Sequence, residues 1–183
     1  MRSQLLLIPP ALCVLAQPAW STTYYLTGEE AQQLLFPGAT FTDMSRDLTE
    51  AQVADIRVAA DAMVSDPRVR IWKVSTGGWF FVDQSQSVDT TYTVAIGLDA
   101  KGVVIGIELM DCITDYCRVR LPEWRAQFKG KKLGDLRGED EIENISGSTR
   151  NVRQITDGVR KILTIYDRLL RNPPKPSRPP ARK

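Results

Sequence analysis

The chain has 183 residues, a net charge of +2 and not one histidine. The missing imidazoles exclude His-ligated zinc, bis-His haem and Ser-His-Asp triads. The positive charge sits at the ends, on Arg2 and on four basic residues beyond position 172, so the body between is mildly acidic, which argues against a nucleic-acid-binding surface.

Residues 1–21 read as a secretory signal peptide. Arg2 precedes an apolar stretch from Leu5 to Ala16, and small residues surround Ala19 and Ser21. The stretch is too short to span a bilayer and is interrupted by Pro9-Pro10. Leu12 stands before Cys13 where a lipoprotein signal wants a small residue, so a soluble exported protein is expected. Residues 22–171 suit one domain with one core. Residues 172–183 carry five prolines and four positive charges and read as a disordered tail.

Within the body, Thr27 to Phe36 predicts a short helix stopped by Pro37-Gly38. Thr49-Glu50-Ala51-Gln52 fits a capping box and opens a second helix, with Val53, Ile56, Ala60 and Met63 on one face and Asp66-Pro67 as its end. Four strands follow: 69–74, 79–83, 91–98 and 103–109. The last two flank the loop Asp99-Ala100-Lys101-Gly102 as a hairpin. After an irregular segment, Pro122 opens a short helix through Phe128. The final helix carries Val152, Ile155, Val159, Ile162, Tyr166 and Leu169 at helical spacing, a core-facing stripe. The expected fold is α+β: an antiparallel sheet of about four strands with helices packed on one face. Cys112 and Cys117 fit either a disulfide or a free pair; they are too few for a four-thiolate metal site.

Ser146-Gly147-Ser148-Thr149 feeds directly into the last helix. A helix N-terminus offers unpartnered N–H groups and a positive dipole end, which together favour a phosphate. Gly147 permits close backbone approach, Ser146, Ser148 and Thr149 add hydroxyls, and Arg150 adds charge. A plain helix cap explains the same residues, so the turn alone does not decide between the two.

Ser146-Gly147-Ser148-Thr149, with Asp140-Glu141-Ile142 before it and Asp157-Gly158-Val159 after it, resembles the flavinylation motif of the FMN-binding domain family. That family includes the C subunit of sodium-pumping NADH:quinone reductase and the Rnf G subunit. The hairpin strands and the run Trp124-Arg125-Ala126-Gln127-Phe128 resemble its stand-alone exported members. The resemblance implies FMN held as a phosphoester on Thr149, made from FAD and magnesium by a flavin transferase outside the cytoplasm. It also implies an exported electron carrier, periplasmic or membrane-associated on the outer face, working with a membrane-bound donor or acceptor.

Ser148 stands where the family has alanine. Asn151-Val152 replaces its hydroxyl pair, and its Thr-Pro-Gly-Leu-Gly loop is missing. Tyr116 and Trp124 are the aromatic candidates for the ring's wall, with a core anchor of the short helix an equal reading of Trp124, and Lys131 or Arg125 are the candidate partners for the phosphate or the reduced flavin. No substrate-binding or NADH-binding pattern accompanies the motif, which favours a carrier over an enzyme with its own substrate. The competing expectation is a non-redox exported binding module whose Ser-Gly-Ser-Thr is only a cap.

Overall fold

Alternating apolar residues on four long strands give the central sheet two faces to cover. The computed structural model describes residues 23–86, 91–112, 118–137 and 141–173. The described strands are β1 (Thr23–Tyr24), β2 (Phe41–Asp43), β3 (Arg46–Asp47), β4 (Arg68–Val74), β5 (Trp79–Gln86), β6 (Thr91–Leu98) and β7 (Val104–Cys112). All pair antiparallel, in the order β1-β7-β6-β5-β4-β2, with β3 also on β4. The fold is therefore α+β, as the sequence predicts. The extra strands are edge pieces of two or three residues, too short to show a period.

One face carries Ile71, Phe81, Ile96, Leu98 and Ile107, and packs against α2 (Glu50–Ala60) and α4 (Thr149–Tyr166). The opposite face is covered as well. There α1 (Gly28–Leu35) and the residues after it set Ala31, Leu35 and Phe36 on Phe80, Ala95 and Ile105. Phe36, Phe41 and Phe80 stack edge to face along it, with centroids 6.1 and 5.8 Å apart, and Trp72 lies tilted on Phe80 at 5.5 Å. Helices thus lie on both faces, not on one.

Thr27 with Glu30, and Thr49 with Gln52, form complete capping boxes at the starts of α1 and α2. The second helix ends sooner than its apolar spacing suggests. Asp61 turns left-handed at φ 47°, and Met63 is exposed. The cause is distant in sequence: Arg160 of α4 donates to the Ala60 and Asp61 carbonyls and so holds the helix terminus there. Among the described residues, no helix is long and apolar enough to cross a membrane.

All six residues of the predicted α4 stripe are buried. Each buried side chain of this size contributes about 1.5–3 kcal/mol, so the stripe alone rivals the net stability of an ordinary domain. At its far end the Tyr166 hydroxyl donates to Ala100 O at 3.0 Å, and its ring lies so close to Gly102 that a Cβ there would meet it at 2.2 Å. Cys112, at the end of β7, is fully buried and disulfide-bonded. Its candidate partner Cys117 lies outside the described residues.

A charge pair interrupts this apolar contact. Lys161 Nζ of α4 meets Asp83 Oδ1 of β5 at 2.9 Å, with both side chains largely buried. Burial pushes the Asp83 carboxyl above its usual range, against the pull of Lys161. A Cβ on Gly158 would stand 3.0 Å from Asp83 Oδ2, so glycine lets α4 approach the sheet here. Removing one partner leaves a buried charge uncompensated. Asp83→Ala should therefore lower unfolding free energy by about 3–5 kcal/mol in a denaturant titration, while the double replacement Asp83→Leu, Lys161→Met should be close to neutral.

Candidate functional site at the start of the last helix

The turn before α4 is held by the short helical segment that precedes it. This comprises α3 (Pro122–Arg125) and a 3-10 turn, Ala126–Phe128. The Trp124 indole N–H donates to the Glu143 carbonyl at 2.9 Å, and the Glu143 N–H donates to Gln127 Oε1 at 2.7 Å. The backbone of one residue is thereby held through both of its flanking peptides. Trp124 itself is 4% exposed and sits edge-on to Phe128, 5.3 Å between centroids. It is a core anchor that braces the loop, and its ring has no open face for a cofactor.

Arg125 forms an ion pair with Glu108 of β7. The Lys131 carbonyl accepts from the Val104 N–H at 2.8 Å, extending the edge of that strand. Neither basic residue lines the cavity described below. Tyr116 lies outside the described residues.

Beyond Glu143 the chain turns once. Ser148 N–H donates to Ile145 O at 2.8 Å, and Gly147 adopts φ +77°, a left-handed conformation in which a side chain is strained. A Cβ at Gly147 would meet nothing within 4 Å, so the glycine serves the turn's geometry, not a close approach to protein atoms.

Ser148 occupies the cap position yet makes no side-chain capping bond, and its buried Oγ has no partner among the described residues. Thr149, the first residue of α4, is exposed, and its Oγ1 accepts from Asn144 Nδ2 at 2.8 Å. The first N–H groups of α4 are therefore not taken up by a side-chain cap at Ser148, unlike the starts of α1 and α2.

Thr149 opens onto a cavity of about 500 Å3 between α4, the end of α2 and the loop before the turn. That size falls within the range of ligand pockets, roughly 300–1,000 Å3. On α4, Thr149, Val152, Arg153, Thr156, Asp157 and Arg160 follow one another along its wall; Ile142, Asn144, Arg137 and Asp61 complete it. Ser146 and Gly147 are exposed on the turn outside it, and Ser148 is buried beneath.

Arg160 is fixed by four acceptors: the carbonyls of Ala60, Asp61 and Leu136, and Asp157 Oδ1 at 2.8 Å. Burial pushes the Asp157 carboxyl above its ordinary range, and the nearby Arg160 and Arg153 pull it back down. Asn144, Arg137, Arg153, Asp157 and Arg160 were not among the sequence candidates. The last three share a helical spacing with Thr149, and that spacing was the available signal.

The chain matches no known protein-family model, and no curated protein matches it. An exposed hydroxyl stands at a helix start that has no side-chain cap from Ser148, beside a cavity of about 500 Å3. Trp124→Phe should keep the core packed but lose the bond to Glu143. We expect a destabilisation of about 1 kcal/mol and faster amide hydrogen exchange across residues 143–149, read by mass spectrometry.

Proposed function

We propose that this chain is an exported flavoprotein that carries FMN as a phosphoester on Thr149 and passes electrons between a membrane-bound donor and another acceptor. The observation that carries the reading is the Thr149 hydroxyl. It is exposed at the first position of α4, oriented by Asn144, and opens onto the 500 Å3 cavity. Bound FMN would supply the one- and two-electron chemistry; the protein supplies attachment, orientation and shielding.

In the attachment step, Thr149 Oγ1 attacks the FMN-side phosphorus of FAD on a flavin transferase. The new O–P bond forms as the pyrophosphate P–O bond breaks, adenosine monophosphate leaves, and the hydroxyl proton passes to solvent or a transferase base. Asn144 Nδ2 occupies one lone pair of Oγ1 and so orients the hydroxyl proton away from itself. The positive end of the α4 dipole and the Arg153 guanidinium favour the phosphate charge that arrives. A covalent link prevents loss of the group by diffusion outside the cell.

The alternative, a non-redox module in which the turn only caps a helix, is weakened by Ser148. Its side chain makes no capping bond. Protein matured with a flavin transferase should gain the mass of FMN less water and stay yellow after denaturation. Thr149→Val should remove that gain while leaving the unfolding midpoint nearly unchanged, since the side chain is exposed and near in volume. Colour that is lost on unfolding would contradict the attachment.

A further inference from the structure

The outer side of α2 is as apolar as its inner side. Ile56 and Ala60 are buried in the core, whereas Val58 is exposed on the helix and Met63 just beyond its end. At 82% and 72% these are the two most exposed large apolar side chains among the described residues. Ala51 and Ala54, also exposed, precede Val58 at helical spacing and extend the same face. Single exposed apolar residues are ordinary, but a continuous apolar face marks a surface that another segment covers.

The chain's last described residues come up beside that face. α2 and α4 run antiparallel: Arg160 donates to Asp61 O at 2.7 Å, and Arg168, in the helical turn Asp167–Arg171 that continues α4, meets Asp55 Oδ2 at 3.2 Å. Four residues past Arg168, about 6 Å further on, the chain is level with the first turn of α2. There the Asn172 N–H closes on Asp167 O at 2.9 Å and ends the helix. Ten residues follow Pro173. Extended as polyproline they reach about 31 Å, against about 17 Å for the length of α2.

We propose that residues 174–183 return along the outer face of α2 and cover Val58 and Met63. The charges are complementary. Lys175, Arg178, Arg182 and Lys183 give the segment +4 with no acid, while the stretch from Glu50 to Asp66 carries four carboxylates against Arg57 alone. Of those four, Asp55 already holds Arg168. Four prolines bring apolar rings to the valine and methionine, and with φ already fixed they lose little backbone freedom on docking. Exposed charge pairs are individually weak. Tethering compensates, because it holds the segment beside the face at an effective concentration on the order of millimolar. The same carboxylates repel an anionic lipid surface, which favours this segment over a membrane as the occupant. The inference is independent of attachment at Thr149.

The test is carbodiimide cross-linking at low ionic strength, which joins amines to carboxylates in contact, mapped by mass spectrometry. In the parent protein Lys175 and Lys183 should link to Glu50, Asp55 or Asp61 within one molecule, several-fold more often than to Glu29 on α1 across the sheet. Val58→Lys sets a like charge on the face at an exposed position, so the fold read by circular dichroism should be unchanged while those links fall several-fold. As a second readout, deleting residues 174–183 should speed amide hydrogen exchange across residues 50–63 several-fold and leave β5, β6 and β7 unchanged.

Links spread evenly over the surface, or unchanged by Val58→Lys, would overturn the docking. So would α2 exchange that the deletion leaves alone; if the parent then binds phosphatidylglycerol vesicles only when residues 174–183 are present, the segment serves lipid instead. Links found only between molecules would assign the face to a second copy and overturn the return within one chain.

Discussion

The double grip on the backbone of Glu143 is the constraint on which the site depends. Trp124 and Gln127, three residues apart on one short helical segment, take its carbonyl and its N–H respectively. Free rotation about the φ and ψ bonds of that residue would let the following turn wander. Held there, Ile145 packs on the core, the chain reverses at Gly147, and α4 starts at a fixed place. Both grips are hydrogen bonds to backbone, so they hold the loop whatever side chain stands at 143. The spacing between the Trp124 run and the Ser-Gly-Ser-Thr turn thereby acquires a mechanical meaning.

The last helix serves two purposes with two adjacent stripes. One is apolar and closes the core against the sheet. The other, offset around the axis, lines a polar cavity from Thr149 to Arg160. Arg160 joins the two roles. Its bonds to Ala60, Asp61 and Leu136 tie the end of α2 and the loop to α4, which makes the cavity wall rigid. In the proposed carrier such a wall would limit reorganisation around the cofactor at each turnover.

Much of the fold was legible in the residues because it is written in local period. The α4 stripe, the hairpin about Asp99-Ala100-Lys101-Gly102 and both Thr capping boxes depend on neighbours within a few positions. What failed depended on partners far along the chain. The end of α2 is set by an arginine a hundred residues away, and nothing near Asp61 announces it. The opposite sheet face is closed by α1 and an aromatic ladder drawn from separate strands. Of the two readings of Trp124, ring wall or core anchor, its burial and its indole bond to the backbone of residue 143 favour the anchor. Thr149 was legible from its turn, whereas Asn144, Arg137 and Arg153 become neighbours of it only after folding.

Phosphorus magnetic resonance on the matured protein tests the central claim most directly. A phosphodiester linking the flavin to Thr149 has no second ionisation, so it predicts one resonance that stays put between acid and neutral pH and persists in denaturant. A noncovalent FMN would instead show a phosphate that titrates with a pKa of about 6 and leaves the protein on unfolding. That second spectrum, or no protein-bound phosphorus at all, would contradict the account.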